Sequence, residues 1–293
     1  MLQSANGVVD PHPKRKLRFG RRRRIVAALA IVGLLAAAWA YAVAVRNPVV
    51  RQARVALPGW PAEAAPLRVV LVSDVHVAGP DMPPERLARI VAQINALRPD
   101  LVLLAGDFNG DKPVATRSYP FPVALAPLAG LRPRLGSYAV LGNHDHWTDP
   151  AAATAALTAA GVRVLSNDAV RVGPLALGGI DDAYTDHADL PGTISAMQTL
   201  GGVPVLLSHS PDPFADLPAD VPLMLAGHTH CGQIRLPLIG AVTYESRYGA
   251  RFGCGRIEEG GRTLFVGAGL GTSVVPLRLG AAPELWLLEL GSP

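Results

Sequence analysis

The most constraining feature of the sequence is a short apolar segment followed directly by polar residues, which recurs five times between residues 67 and 230. The apolar segments LRVVLV, LVLLA, SYAVL, VPVLL and VPLMLA are continuous rather than alternating, which is typical of strands buried on both faces. Segment 83–100 has apolar residues at helical spacing, and segment 149–161 has an Asp cap, a Pro in its first turn and a Gly stop. Buried strands alternating with helices predict an α/β fold whose sheets are covered on both faces.

The rest of the chain after residue 48 is predicted to be mostly β-structure. Residues 49–57 favour a first strand, and residues 162–182 read as short strands and turns. Near the C-terminus, the segments GQIRLP, RTLFVGAG and PELWLLEL predict antiparallel strands.

The polar residues at the five strand ends are rich in groups that bind metals and titrate. They are Asp74 and His76; Asp107; Asn143, His144 and Asp145; His209; and His228 and His230. In α/β folds, ligands bind beyond the carboxyl ends of the strands, so we expect these side chains to form one site. The i, i+2 spacing of Asp74 with His76 and of His228 with His230 matches the period of a strand, so both members of each pair are expected to point the same way and to reach the site.

The donor types also restrict the metal. Carboxylate, imidazole and amide donors without a recurring thiolate suit Mn²⁺, Fe or Zn²⁺ rather than a cysteine-based structural zinc site. Bound cations would offset the repulsion between carboxylates gathered in one cleft and would keep the imidazoles neutral.

The motif series DxH, GD, GNHD, H and GHTH resembles the calcineurin-like metallophosphoesterase superfamily. The downstream GHTHCGQIRLP and GLGTS resemble its bacterial membrane-associated branch of YkuE- and YaeI-like phosphodiesterases. The resemblance spans roughly residues 49–290. It implies a four-layer α/β/β/α sandwich with two divalent metal ions, Mn, Fe or Zn, at one edge.

The resemblance also implies which side chains hold the metals. The first ion would be held by Asp74, His76 and His230, and the second by Asn143, His209 and His228, with Asp107 bridging both.

The same resemblance makes His144 the catalytic histidine, which would contact the phosphate or protonate the leaving oxygen. Asp145, which is Glu in many members, would orient it. His146 is expected to be a neighbour rather than a ligand. Asn109 and Asp111 are expected to be solvated or to support the ligands from behind.

Residues 25–45 carry no charge over 21 positions, which is long enough to cross a membrane as a helix. Residues 14–24 contain eight basic side chains and no acidic one, which favours an N-terminus in the cytoplasm and the remaining chain outside it, at a bacterial inner membrane. The alternative is a cleaved signal peptide, since AWA at 38–40 fits a small-residue cleavage site. The predicted organisation is a basic cytoplasmic tail (1–24), a transmembrane helix or signal anchor (25–45), a first strand and linker (46–66) and a metallophosphoesterase domain (67–293).

The charge of the chain is distributed unevenly. Residues 55–293 carry 16 basic and 22 acidic side chains, a formal net charge of −6, although the whole chain is at +4. The domain therefore lacks the basic surface expected of a nucleic-acid partner. Its two cysteines, Cys231 and Cys254, could form one bridge outside the cytoplasm, but Cys231 is assigned no role in the site.

Together these features predict a membrane-anchored, two-metal phosphoesterase. Its substrate would contain a phosphodiester or pyrophosphate bond in a lipid-linked or cell-envelope molecule, such as UDP-2,3-diacylglucosamine. The alternatives are a nuclease and a non-catalytic metal-binding scaffold on the same fold, and the oligomeric state is left open.

Overall fold

The computed structural model describes the backbone of residues 13–293 and the side chains from residue 21 onward. Residues 1–12, which belong to the predicted basic tail, lie outside the described part. The chain divides into two compact units, Met1–Ala40 and Tyr41–Pro293. Within the described residues, one helix is long and apolar enough to span a membrane; its apolar segment, Arg21–Val45, has a mean hydropathy of 2.3.

The helices and strands alternate along the chain largely as the sequence predicts. The helices are α1 Pro13–Val45, α2 Pro84–Ala96, α3 Phe121–Leu125, α4 Asn143–Thr148, α5 Pro150–Ala159 and α6 Leu190–Leu200. The strands are β1 Val49–Ala56, β2 Leu67–Val72, β3 Ala78–Gly79, β4 Leu101–Ala105, β5 Arg117–Ser118, β6 Ser137–Val140, β7 Val162–Val164, β8 Asp168–Val172, β9 Leu175–Gly179, β10 Val203–Leu207, β11 Leu223–Ala226, β12 Arg235–Leu236, β13 Gly240–Ala241, β14 Gly255–Glu259, β15 Arg262–Val266 and β16 Glu284–Gly291.

Most strands belong to two six-stranded sheets of mixed direction. The first has the order β1-β16-β2-β4-β6-β7 and the second β14-β15-β11-β10-β9-β8. The prediction of antiparallel structure near the C-terminus is only partly correct. Strand β15 is antiparallel to β14 but parallel to β11, and β16 is antiparallel to β2 but parallel to β1.

The three large clusters of the core lie between the sheets and on the outer face of each sheet, and a small fourth cluster contains Cys231, Ala268 and Ala281. In β4, Leu101 and Leu103 face the inter-sheet cluster, whereas Val102 and Leu104 face the cluster that contains residues of α2. The outer cluster of the second sheet includes Met197 of α6. Because side chains alternate along a strand, each sheet is covered on both faces. This four-layer α/β/β/α arrangement confirms the predicted fold class.

Local sequence signals explain where the outer helices begin. The Asp149 side chain accepts a hydrogen bond from Ala152 N at the start of α5, as its position before Pro150 predicts. Helix α6 has no counterpart in the sequence predictions, although Asp189 caps it in the same way by accepting from Gly192 N. An apolar stripe of only a few residues, interrupted by Pro and Gly near the start, gave too weak a helical pattern to detect it.

Candidate metal centre

All seven predicted ligands come together where strands from both sheets end. Strands β2, β4 and β6 supply residues from the first sheet, and β10 and β11 supply residues from the second. The seven are only 0–6 % exposed and are Asp74, His76, Asp107, Asn143, His209, His228 and His230. Burying so many carboxylates and imidazoles in one place is costly unless something with positive charge compensates it.

The first group of donor atoms belongs to the residues predicted to hold the first metal. His76 Nε2 lies 3.1 Å from His230 Nε2, which is itself 3.6 Å from Asp74 Oδ1. His76 Nε2 is also 3.4 Å from Asp107 Oδ2.

The second group adjoins the first through Asp107. His209 Nε2 lies 3.3 Å from Asp107 Oδ2, 3.0 Å from Asn143 Oδ1 and 3.1 Å from His228 Nδ1. Asp107 Oδ2 is therefore within 3.4 Å of a histidine nitrogen in each group. This is the position required of a bridging carboxylate.

These spacings match those of atoms that share one small cation. Ligands about 2.0–2.1 Å from a metal are roughly 2.9–3.4 Å apart when they subtend right to tetrahedral angles. Five of the six donor separations, 3.0–3.4 Å, lie in that range, and the sixth, between His230 Nε2 and Asp74 Oδ1, is 3.6 Å. The nitrogen and oxygen donor set fits Mn, Fe or Zn. Three overlapping groups of side chains could each hold an ion, namely Asp74, His76 and His230; Asp107, His209 and His228; and His76, Asp107 and His144.

Backbone hydrogen bonds orient two of the histidines. The Nδ1 atom of His76 lies 3.0 Å from the Asn109 carbonyl oxygen, and Nδ1 of His209 lies 2.8 Å from the Ala105 carbonyl oxygen. A carbonyl only accepts, so each Nδ1 must donate. In the neutral ring, each Nε2 then presents a lone pair to the site, which is the arrangement that binds a metal.

The electrostatics of the centre also favour metal binding. Burial lowers the pKa of His76 and of His228 to about 3 and holds the pKa of His230 well below its usual range, so these three rings are neutral. Burial alone would raise the pKa of Asp107, but the neighbouring His209 outweighs it and holds that pKa well below the usual range. Burial alone would lower the pKa of His209, but the charge of Asp107 outweighs it and raises that pKa to about 10. A metal ion at His209 would therefore displace the Nε2 proton and bind the neutral ring beside the ionised Asp107.

The backbone at the site differs from the strand geometry used to interpret the sequence. Asp74, His76, Asp107, His228 and His230 all have positive φ, between 45° and 71°. The two DxH-like pairs therefore lie in tight loops beyond the strands, and the period-2 explanation of their spacing is wrong. Left-handed conformations are unfavourable for residues with a Cβ and persist only where the surroundings enforce them, often at functional sites.

Asp145 has a different position from the one predicted. Its Oδ2 accepts hydrogen bonds from Asp107 N and Gly142 N, both at 3.0 Å, and its Oδ1 accepts from Phe108 N at 2.9 Å and from Asn109 N at 3.2 Å. The expectation that Asp145 orients the His144 ring is therefore corrected. Both oxygens are used by backbone N–H groups, so Asp145 joins the loop after β4 to the start of α4.

Gly142 is needed for the same approach of two loops. A Cβ at this position would collide with Asp107 Oδ1 and with the Asp107 backbone nitrogen. Gly142 thus permits Asp107 to lie beside the segment that carries Asn143 and His144.

His144 lies at the edge of the ligand cluster, and its partner is Asp111. The Nδ1 atom of His144 is 2.5 Å from Asp111 Oδ1, and the imidazole is 17 % exposed. Its backbone N donates to Asp107 Oδ1 at 3.0 Å. Burial alone would lower the pKa of His144, but the hydrogen bond to Asp111 outweighs it and raises that pKa. Asp111 is the residue that sequence reasoning undervalued, since nothing in its local pattern distinguishes it from a loop carboxylate.

The remaining candidates surround the centre. His146 Nε2 lies 2.7 Å from Asp181 Oδ1, outside the groups of possible ligands. Asn109 contributes its carbonyl to His76, while its side chain donates to Thr148.

Two residues near His230 received no role from the sequence. Cys231 forms a disulfide with Cys254, which fixes the loop directly after His230. Arg278 is fully buried, donates to the carbonyl oxygens of Ala268 and Gly271, and lies 3.2 Å from His230 Nδ1. Because Arg278 stands in the apolar segment VPLRLG, no sequence pattern marks it as part of the site.

A cavity of about 560 Å³ opens over the centre. Asp107, Asn143, His144, His228 and His230 line its polar side. Its lining also includes Glu245 and the apolar or aromatic side chains of Trp147, Tyr184, Ile234, Val242, Val274 and Val275. Trp147 packs against the His144 ring and Tyr184 against the His228 ring. The cleft can therefore hold a molecule that has an anionic group at the histidines and a nonpolar part against the apolar side chains of the lining.

The model of a family described as calcineurin-like phosphoesterase matches residues 67–232, which contain all seven ligand positions and His144.

Several relatives are about equally similar in sequence. A transmembrane protein with a metallophosphoesterase domain from Danio rerio is 32 % identical over 89 % of this chain and 60 % of its own length. The uncharacterized metallophosphoesterase YkuE of Bacillus subtilis is 32 % identical over 77 % of this chain and 79 % of its own. Phosphodiesterase YaeI of Escherichia coli is 32 % identical over 78 % and 83 %. The chain covers 60–65 % of the two vertebrate relatives it matches.

Among solved structures, the NAD nucleotidase of Haemophilus influenzae aligns with 70 % of this chain and 46 % of its own, at 15 % identity and a TM-score of 0.45.

Proposed function

The chain belongs to the calcineurin-like phosphoesterase family, as its motif series predicts, and from that premise we propose that it is a two-metal phosphoester hydrolase. The observation that carries the proposal is the position of Asp107 Oδ2, which lies between two groups of buried donors. Asp74, His76 and His230 would hold one ion and Asn143, His209 and His228 the other. When bound, such a pair of ions supplies an activated water nucleophile and stabilises charge on the phosphoryl oxygens.

The protein's own residues would position the substrate and manage the proton of the leaving group. The Nδ1–H of His144 donates to Asp111, which leaves Nε2 as the ring atom available to a phosphoester in the cleft. A proton on Nε2 can pass to the leaving oxygen as the ester bond breaks, and such general acid catalysis is worth roughly 10²–10⁴ in rate. Asp145 acts indirectly, because its four backbone hydrogen bonds hold the loops that carry Asp107 and Asn143.

We further propose that the substrate is a phosphodiester or pyrophosphate in a lipid-linked or cell-envelope molecule, with UDP-2,3-diacylglucosamine as one candidate. The apolar side chains in the lining of the cleft support a substrate with a nonpolar part. The acidic balance of residues 55–293 disfavours a nuclease.

The same proposal places the chain at a bacterial inner membrane, anchored through residues 25–45 with the hydrolase domain outside the cytoplasm. The basic residues before the helix support this orientation. The Cys231–Cys254 disulfide supports it independently, because disulfides persist mainly in oxidising compartments. A nucleotide-linked lipid precursor in the cytoplasm would require the opposite orientation. A reporter fused after Pro293 distinguishes the two by its periplasmic or cytoplasmic activity.

The hydrolase proposal is tested with the full-length chain in detergent and an aryl phosphodiester as the probe. Removal of metal by a chelator is expected to abolish hydrolysis, and addition of Mn²⁺ or Zn²⁺ to restore it. His209→Gln should lose hydrolysis, whereas His187→Gln, a matched histidine change outside the ligand groups, should retain it. Stoichiometric metal without hydrolysis of phosphomonoesters, phosphodiesters or pyrophosphates would instead identify a metal-binding scaffold.

A further inference from the structure

Exposed apolar side chains are concentrated at one place on the unit formed by residues 41–293. Ten large apolar side chains are exposed in this unit. Four of them, Trp147, Tyr184, Val242 and Val274, also line the cleft over the candidate metal centre. Three more, Leu236, Leu238 and Ile239, lie on the β12–β13 hairpin that leads to it. Isolated exposed apolar residues are ordinary, but a contiguous group at a cleft mouth indicates a contact surface.

The hairpin projects its apolar residues away from the rest of the protein. The pairing of Leu236 with Gly240 places residues 237–239 in the turn between the two short strands. At this turn Leu238 is fully exposed and Ile239 is 76 % exposed. A turn would ordinarily carry polar residues, so two large aliphatic side chains here need a nonpolar environment that the folded chain does not provide.

The hairpin and the loop that carries Val274 form a continuous apolar rim, defined as Leu236, Leu238, Ile239, Val242 and Val274. Backbone bridges join Ile234 to Leu279 and Gly280. The Gln233 side chain accepts from Ser273 N at 2.9 Å and donates to the Val275 carbonyl at 3.0 Å. The rim is therefore held in place by the backbone bridges of Ile234 and the hydrogen bonds of Gln233 rather than by packing of its exposed side chains.

The charge around the rim is compatible with an anionic bilayer. Residues 231–244 and 267–283 contain no Asp or Glu; of their two arginines Arg278 is fully buried, and the exposed Glu245, which lines the same cleft, follows the first segment directly. No carboxylate in either segment would have to approach the negative surface of a membrane, and Arg235 at the base of the hairpin could meet a lipid phosphate. A protein partner would more often be matched by a mixture of charges at the rim of its interface.

We propose that the apolar rim inserts into the interfacial layer of the membrane and brings the mouth of the cleft to the lipid surface. This contact is separate from the N-terminal helix, and it rests on the proposed anchoring, which keeps the domain at a bilayer. It gives the cleft direct access to phosphoesters that are embedded in that bilayer. The rim thus favours substrates presented by the membrane over those dissolved in water.

The test uses the full-length chain in vesicles of phosphatidylcholine and phosphatidylglycerol. Since both native cysteines are in the disulfide, a nitroxide can be attached to a single new cysteine at Leu238→Cys. Val123→Cys is the matched control, because Val123 is an apolar residue that is 51 % exposed and lies outside the rim. Collision of each label with oxygen and with a water-soluble nickel chelate is measured by electron paramagnetic resonance, and Ile239→Cys provides a second rim position.

The proposal expects a several-fold higher ratio of oxygen to nickel collisions at position 238 than at position 123. Equal, nickel-dominated collisions at both positions would refute membrane insertion. Weak collision with both reagents at position 238 would also refute it and would indicate a protein contact, with spin–spin broadening pointing to a second copy of the chain. Flotation of the vesicles reports separately whether the protein is anchored. The collision measurement does not depend on hydrolysis, so failure of membrane insertion and failure of the proposed hydrolase function are distinguishable.

Discussion

Substitution of Asp145 by Asn distinguishes a structural role for this carboxylate from the role expected from the sequence. An Asn can keep one acceptor oxygen, but its NH₂ group must then face two of the four backbone N–H donors. If the oxygen stays toward Phe108 and Asn109, the donors left without a partner are Asp107 N and Gly142 N. Each buried donor left unsatisfied costs about 1–3 kcal/mol, so we expect a loss of about 2–6 kcal/mol in the free energy of unfolding.

The assay is urea unfolding of the metal-free, full-length protein in detergent, followed by tryptophan fluorescence. Asp145→Glu retains both oxygens and the charge and should lose much less stability. Asp168→Asn is the control, because this carboxylate is 55 % exposed on β8 and lies outside the site. An unchanged urea midpoint combined with a large fall in turnover would refute the reasoning, since that result belongs to a residue that orients His144.

Other substitutions test separate parts of the site. His144→Ala should retain the full metal content by metal analysis, while its hydrolysis of an aryl phosphodiester should fall about 10²–10⁴-fold. Normal turnover of the variant would show that His144 is not the general acid. Asp111→Asn should lower turnover in the same direction with metal retained, and an unchanged rate would show that the hydrogen bond to His144 has no catalytic consequence. Cys254→Ser opens a loop of 23 residues and should destabilise the protein by about 3 kcal/mol in urea unfolding; no change in stability would contradict a structural disulfide.

The sequence predicts which side chains gather at the candidate centre because those residues lie in local motifs at the strand ends; that they bind metal stays a prediction. The continuous apolar segments identify where strands end at the edge of a sheet. The polar residues that follow these segments are the ones that meet there. Asp107, for example, is marked both by its place after β4 and by the GD motif.

The parts that the sequence did not predict depend on contacts between distant segments. Asp145 and Asp111 are both carboxylates near His144, and only the folded loops show that Asp145 binds backbone N–H groups while Asp111 meets the ring. The positive φ of His76 and His228 is likewise imposed by the surroundings and not by the residues themselves. The direction of β16 follows from its pairing with β1, more than 230 residues away in the chain, and no local pattern encodes it.

The exposed hairpin shows a third limit. The segment GQIRLP predicts a strand, and the structure contains only a two-residue strand leading into an apolar turn. Leucine and isoleucine are read from sequence as core residues, so their exposure becomes visible only once the core is known to be complete without them.

The most direct test of two ions sharing one carboxylate is the metal content of the purified protein and of Asp107→Ala after equilibration with Mn²⁺ or Zn²⁺. The shared position of Asp107 Oδ2 predicts two ions per chain in the native protein and loss of both from the variant, with the fold retained by circular dichroism. A variant that keeps two ions, or a native protein that binds only one, would contradict the account.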